Sequence, residues 1–283
     1  MILSSDDSRN MTSKVRNDEM TENENKKKPY YKIASLEKGL NIIELLAEQG
    51  ATSVSDIARA LGQNRSASHR FLATLKELGY VVQDARSRYR LSMKMFVLGS
   101  RVGNIAEVRT IARPYMKALA ERHSETVNLG HLEGSDVVTI DVVLGTEVIK
   151  YDAQVGDRSP AHTLAMGKAM LAHHSPSAVN AYLDGAEFVE LTPKTILTRE
   201  ACVDALKSVR RKGYATDDEE WSIGLRCVAV PLFDFSDDPT YAISVSGPAS
   251  RMTDEKIGEI LEDLKEYTAK MEGELGASGR GGR

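Results

Sequence analysis

Cysteine is nearly absent from the sequence: Cys202 and Cys227 are the only two in 283 residues. Two thiols are too few for a disulfide framework or a four-cysteine zinc site, and we expect neither a metal nor a cofactor. Long apolar runs are missing as well, since no stretch approaches the ~18 consecutive apolar residues of a membrane span. The first residues also lack the charged-then-apolar pattern of a secretory signal. These absences predict a cytoplasmic protein without membrane contact.

The chain has little net charge, but that charge is unevenly distributed. The formal net charge is −4. Residues 30–95 carry ten basic and six acidic side chains, whereas residues 96–283 carry 21 basic and 29 acidic ones. A positive segment on an acidic body is typical of a protein that presents one face to a polyanion.

Both ends of the chain are polar and lack apolar periodicity. Residues 1–29 are predicted to form a disordered tail and residues 276–283 a flexible one. Between the tails we place a first domain at 30–92, a linker helix at 93–110 and a second domain at 111–275. The length allows two compact domains, each with its own core.

The pattern of the first domain predicts three consecutive helices. Gly50 ends the first helix, and Ser53 begins the second with a capping-box-like start. Gly62 ends the second helix, and Asn64 caps a third that runs to about residue 78. The predicted apolar stripes are Leu36, Leu40, Ile43, Leu46 and Ala47 on the first helix, and Ala67, Phe71, Leu75 and Leu78 on the third.

A short basic hairpin is predicted to follow the helices. Residues 80–83 and 88–91 have β-like composition and flank a turn-forming stretch at 84–87. Three helices and a hairpin in this order are the outline of a winged helix-turn-helix, which binds double-stranded DNA. We expect Arg65, Ser66, Ser68 and His69 to contact base edges, and Arg70, Arg86 and Arg88 to hold phosphates.

The second domain is predicted to be an antiparallel sheet flanked by helices, which makes the chain α+β. A helix over 92–124 precedes it, with Pro114 as a start or break, and its apolar excess predicts a role in dimerisation. The predicted strands are 126–132, 137–144, 228–233 and 241–246, and the predicted helices are 163–173, 199–212 and 253–274.

Polar groups in the second domain indicate a site for a small acid. Residues 155–168 place a loop directly before a helix, whose unpaired N–H groups favour anions. Ser244 and Ser246 are two positions apart on a strand, so both hydroxyls lie on one face. A pocket in which these hydroxyls, a thiol and the N–H groups converge could form hydrogen bonds with a carboxylate and with a neighbouring carbonyl or hydroxyl.

These stretches together resemble the IclR family of bacterial transcription regulators, over roughly residues 34–275. The most specific matches are residues 217–220, 224–231 and 244–248, together with 65–75 in the third helix. The resemblance implies a GAF-like effector domain, dimers that often pair into tetramers, and control of catabolic operons by small organic acids. It implies effector contacts at Val148, Ala165, Met166, Asp217, Leu225, Cys227, Ser244 and Ser246. A two-fold dimer predicts an operator that is an imperfect palindrome.

The sequence leaves two other functions open. Cys227, His162 and Asp217 could act as nucleophile, base and orienting group of a cysteine-dependent hydrolase. A DNA-binding architectural protein without an effector is the second alternative, although the large acidic second domain argues against it.

Overall fold

The computed structural model describes residues 33–99, 105–234 and 239–277. The chain divides into two compact units, with the division between Gly99 and Ser100. The predicted tail at 1–29 lies outside the described residues, as does the predicted tail at 276–283 apart from its first two residues.

The first unit has the predicted helices and hairpin. Its elements are α1 (Ala34–Gln49), α2 (Val54–Ala60), α3 (Arg65–Glu77), β1 (Val81–Gln83), β2 (Tyr89–Leu91) and α4 (Met93–Gly99). Ser53 caps α2 by accepting from the Asp56 N–H at 3.3 Å, as predicted. Gly50 ends α1 with a positive φ of 68°, a backbone conformation that favours glycine. The winged helix-turn-helix expected for this part of the chain is therefore the observed architecture.

The core-facing sides of two helices differ from the predicted stripes. On α1 the buried residues are Ile42, Leu45 and Leu46, while Leu36 and Leu40 are exposed. On α3 the buried positions are Ser68 and Leu72, and the predicted Leu78 is exposed, whereas Phe71 and Leu75 are partly buried. The unit is small, so its core covers only part of each helix and leaves other apolar side chains in solvent.

The linking region contains two described helices. After α4, α5 covers Ile105–His123, and residues 100–104 lie outside the described residues. The predicted linker boundary at residue 110 falls inside α5 and does not mark the end of an element. Pro114 also lies inside α5, so its prediction as a start or break was wrong. Pro114 and Thr110 are both exposed, so water can bond the Thr110 carbonyl that loses its helical donor.

The second unit is built on a six-stranded antiparallel sheet. Its strands are β3 (Thr126–Glu133), β4 (Asp136–Val143), β5 (Arg158–Pro160), β6 (Ala215–Asp218), β7 (Leu225–Leu232) and β8 (Tyr241–Pro248), in the order β5-β4-β3-β8-β7-β6. Its further helices are α6 (Ala165–Leu171), α7 (Pro176–Gly185), α8 (Arg199–Lys212) and α9 (Asp254–Glu274). The α+β class and the flanked antiparallel sheet are thus confirmed.

The two faces of this sheet have different chemistry because side chains alternate along each strand. One face packs against α5 and α9 and is apolar, with Val127 on β3, and Ile243 and Val245 on β8. The opposite face packs against α6 and carries the polar Asn128 and Ser244 between apolar neighbours. Asn128 and Ser244 therefore form a neutral polar surface on the α6 side of the sheet.

Two glycines let α6 approach closely. A Cβ on Gly167 would lie 2.0 Å from the carbonyl oxygen of Ala161, in the 3-10 turn that precedes α6. A Cβ on Gly130 of β3 would lie 2.8 Å from the Met166 sulfur. Gly167 therefore lets the start of α6 pack directly on the backbone of the preceding turn, and Gly130 leaves room on β3 for the Met166 side chain. Within the described ranges, no helix has the length and hydropathy needed to cross a membrane.

Candidate functional site

The first two turns of α3 expose a cluster of polar and basic side chains. Asn64 caps the helix by accepting from the Ser66 N–H at 2.9 Å. Arg65, Ser66, His69 and Arg70 are all exposed. The start of a recognition helix is the part that enters a major groove, so these side chains are available to base edges and phosphates.

Ser68 does not share this exposure. Its side chain is fully buried, and its hydroxyl donates to the Gln63 side-chain oxygen at 3.3 Å. The predicted contact of Ser68 with bases was therefore wrong in this structure. Helical rotation places residue 68 on the same side as the buried Leu72, four residues later.

The turn of the hairpin is organised by Asp84. Its Oδ1 accepts from the backbone N–H groups of Arg86 and Arg88, each at 2.9 Å, and its Oδ2 accepts from the Arg88 guanidinium at 3.1 Å. These bonds, led by the Arg88 N–H, lower the pKa of Asp84. Arg86 is exposed and Arg88 partly so. Arg90 on β2 is also exposed, a basic side chain of the hairpin that is not among the predicted DNA contacts.

The second unit contains a cavity of about 260 Å³ between the α6 side of the sheet and the start of α6. We call it the central cavity. Its lining comprises Asn128, Val137, Thr139, Tyr151, Asp157, Arg158, Ser159, Leu164, Ala165, Met166, Trp221, Leu225, Cys227, Ser244 and Ser246. Its volume is near the lower end of the roughly 300–1,000 Å³ of small-molecule sites, which fits a small ligand.

Three polar side chains form a network in the cavity wall. Asn128 lies opposite Ser244 in the β3–β8 register, and all three side chains are on the α6 side of the sheet. The Asn128 amide nitrogen donates to the hydroxyl oxygens of Ser244 at 3.3 Å and Ser246 at 3.1 Å. The two serines were predicted from the sequence and Asn128 was not, although its alternation in the predicted strand at 126–132 was a usable signal.

Asp217 lies next to the cavity without lining it. It pairs with Cys227 in the β6–β7 register and is fully buried. Its Oδ1 accepts from the N–H groups of Glu220 at 2.7 Å and Trp221 at 3.3 Å. Burial raises the pKa of Asp217 to about 6, against the partial opposition of the Lys168 charge. A carboxyl with this pKa can exist in either protonation state close to neutral pH.

Cys227 is unsuited to nucleophilic chemistry. Burial, reinforced by the Asp217 charge, raises the pKa of its thiol far above the ordinary range. The Nδ1 atom of His162 is 2.7 Å from the Tyr182 hydroxyl, which engages it. An activated thiolate needs a lowered pKa and an adjacent base, and this thiol has a raised pKa.

Two basic side chains near the cavity are engaged by partners of opposite charge. Lys168 of α6 is buried and forms an ion pair with Glu220. Arg158 of β5 donates to Glu133 at 2.6 Å, at the turn between β3 and β4. These two ion pairs engage the charges of Lys168 and Arg158, whereas the carboxylate of the lining residue Asp157 accepts, among the described residues, only from the Gln154 N–H, at 2.9 Å.

Aromatic side chains complete the cavity. Tyr151 and Trp221 meet edge to face, with ring centroids 6.0 Å apart. Burial raises the pKa of Tyr151 to about 12, so its hydroxyl is neutral and can donate a hydrogen bond at physiological pH.

The predicted effector positions divide into two groups. Ala165, Met166, Leu225, Cys227, Ser244 and Ser246 line the cavity. Val148 does not, because it lies in the loop after β4 and is 94% exposed. Asp217 does not line the cavity and lies beside Cys227 on the neighbouring strand. Neither residue lines the central cavity in this structure, and their effector contacts stay predictions.

A helix-turn-helix unit and a separate unit with a small polar cavity are the parts of a ligand-responsive transcription regulator. Models of known families agree with both parts. The IclR helix-turn-helix domain matches residues 35–85, and the bacterial transcriptional regulator IclR C-terminal domain matches residues 101–272.

Individual relatives support the same assignment. The HTH-type transcriptional regulator XynR of Escherichia coli K12 is 33% identical over 246 residues, covering 86% of this chain and 98% of XynR. The crystal structure of Thermotoga maritima IclR is 33% identical, has a TM-score of 0.73, and covers 86% of this chain and 98% of that one. The chain therefore belongs to the IclR family of DNA-binding transcription regulators, whose matched members are regulators and not enzymes.

A third similarity concerns the fold alone. An IclR homologue from Microbacterium hydrocarbonoxydans, crystallised with 4-hydroxybenzoate, has a TM-score of 0.73 at 23% identity, covering 86% of this chain and 99% of that one.

Proposed function

We propose that this protein regulates a catabolic operon, and that a small organic acid in the central cavity controls its binding to DNA. The observation that carries the proposal is the pair of hydroxyls of Ser244 and Ser246 in the cavity wall. Their oxygens accept from Asn128, so their hydrogens remain able to donate to a carboxylate. The hydroxyls of the wall and the small volume both suit a short acid.

On the DNA side, we propose that Arg65, Ser66 and His69 contact base edges, and that Arg70, Arg86 and Arg88 contact phosphates. Their exposure supports these roles. Bidentate Arg-to-guanine contacts specify sequence, whereas phosphate contacts add affinity that salt weakens.

We propose that the protein acts as a homodimer on an imperfectly palindromic operator, and that two dimers can pair. Exposed apolar side chains support a further interface: Leu36 and Leu40 on α1, and Met93 and Phe96 on α4. Residues 92–110 join the two units in the sequence, so a ligand-dependent change in this segment would alter the placement of the DNA-binding units.

Footprinting on the DNA upstream of the protein's own gene tests the proposal. The panel contains small aliphatic and aromatic acids, including 4-hydroxybenzoate. We expect a protected imperfect palindrome whose protection changes with one acid. A Ser244→Ala/Ser246→Ala variant should keep the protection and lose its response to that acid. Protection that no acid alters, or folded protein that protects nothing, would contradict the proposal.

A further inference from the structure

Asn128 places a half-satisfied amide in the wall of the central cavity. Both of its hydrogen bonds come from the amide nitrogen, which donates to Ser244 and Ser246. Its oxygen, Oδ1, has no hydrogen-bond partner among the described residues. The residue is only 2% exposed, so bulk water does not compensate for the missing bond.

The unpaired oxygen determines what kind of group can pair with it. An amide nitrogen has two hydrogens, and both are committed to the serines, so Oδ1 is the remaining hydrogen-bonding atom of the side chain. An amide oxygen only accepts, and its partner must therefore be a donor. Buried polar groups in folded proteins are nearly always paired, which makes a bound ligand the natural source of that donor.

The geometry points to an effector that carries a hydroxyl in addition to its carboxylate, and to Asn128 as the residue that selects for the hydroxyl. This inference rests on the proposed function, because it concerns the ligand of the same cavity. The serine hydroxyls donate to the carboxylate, and Oδ1 accepts from the hydroxyl. An ammonium group fits less well, since it needs several acceptors and a compensating charge, and Oδ1 is one neutral acceptor.

The expected discrimination is large enough to measure. A matched acid without the hydroxyl would leave Oδ1 unpaired in a closed cavity and should bind about 10- to 100-fold more weakly. A site that only holds the carboxylate would bind both acids equally. The ratio of the two affinities therefore reports on Oδ1, while the affinity of the deoxy acid reports on the rest of the cavity.

Trp221 supplies the readout, because it is the only tryptophan in the chain and lines the cavity. Its fluorescence is titrated in the full-length protein with matched pairs: glycolate and acetate, lactate and propanoate, 4-hydroxybenzoate and benzoate, and similar acids of up to about eight carbons. Each pair is accompanied by the corresponding amino acid. We expect at least one hydroxylated acid to bind about 10- to 100-fold more tightly than its deoxy partner.

Variants assign that preference to a residue. In Asn128→Ala the ratio should fall to near one, because the hydroxyl loses its acceptor, while the lost bonds to the two serines lower the affinity for both acids alike. Asn128→Ser serves as a second, polar replacement. Thr139→Val is the matched control, since it removes another polar group from the lining and should keep the ratio.

Each contrary result has a separate meaning. Equal binding of hydroxylated and deoxy acids, tighter binding of an amino acid, or a ratio that survives in folded Asn128→Ala and Asn128→Ser would overturn the inference and leave acid sensing intact. If no acid changes Trp221 fluorescence or the melting temperature, the proposed function itself fails, and the inference fails with it.

Discussion

Replacing Asp217 by Asn should stabilise the second unit at neutral pH and have less effect at acidic pH. Burial raises the pKa of Asp217 from 3.8 to about 6 in the folded protein. The folded state therefore holds the proton more tightly than the unfolded state. The resulting stability is fully present below the unfolded pKa and is lost as the pH rises through about 6.

The size of this effect follows from the difference in pKa. Each pKa unit corresponds to about 1.4 kcal/mol, so the ionised Asp217 costs roughly 3 kcal/mol above pH 7 relative to its protonated form. Asn keeps the oxygen that accepts from the N–H groups of Glu220 and Trp221 and cannot ionise. The gain in free energy of unfolding from Asp217→Asn should therefore grow by about 1–1.5 kcal/mol between pH 5 and pH 7.5.

Urea unfolding followed by Trp221 fluorescence measures the change in the free energy of unfolding close to the substituted residue, since the Trp221 N–H donates to Asp217. Asp204→Asn on α8 is the control, because it removes one carboxylate whose side chain is 75% exposed. Each variant loses one carboxyl and keeps the other titrating groups of the chain. The difference between their changes in free energy of unfolding with pH therefore isolates the effect of burying the carboxyl. A gain that stays constant with pH, or one that is larger on the acidic side, would refute the reasoning.

Further predictions concern the DNA-binding unit and the packing of α6. Arg65→Ala should relax base specificity by about 1–3 kcal/mol in binding to single-base operator variants, whereas Arg88→Ala should weaken binding evenly and lower the salt slope by about one. Equal effects of the two changes would contradict these roles. Leu72→Ala should destabilise the first unit by about 2–5 kcal/mol in thermal unfolding, and the exposed Leu78→Ala by far less. Gly167→Ala should lower the melting temperature of the second unit and weaken acid binding together, because the added Cβ would lie 2.0 Å from a backbone oxygen. If Gly167→Ala bound the acid as tightly as the unchanged protein, α6 would be able to shift without a loss of free energy.

The order of elements was predictable because it depends on local signals. Glycine stops, serine and asparagine caps, and the change from helical to strand periodicity all act over a few residues. Ser53 and Asn64 cap their helices, and residues 199–212 form the predicted helix. Pro114 was mispredicted because a helix tolerates proline where the freed carbonyl faces water, which a local pattern does not reveal.

The site was predictable only in part, because burial and pairing depend on the whole fold. Ser244 and Ser246 could be placed on one face from their spacing alone. Asn128 joins them through strand pairing between distant segments, and its role follows from the β3–β8 register. Ser68 was placed on the wrong side, since only the packing of α3 against its neighbours shows which face is buried.

Coupling between the cavity and DNA binding is the central claim, and operator affinity across a saturating acid titration tests it most directly. The protected upstream DNA is used as the ligand, and the acid is the one that alters its footprint or quenches Trp221. We predict a change in operator affinity of about 5- to 150-fold, which corresponds to a coupling of about 1–3 kcal/mol, and no change in Ser244→Ala/Ser246→Ala. An affinity that stays the same at saturating acid would contradict the claim.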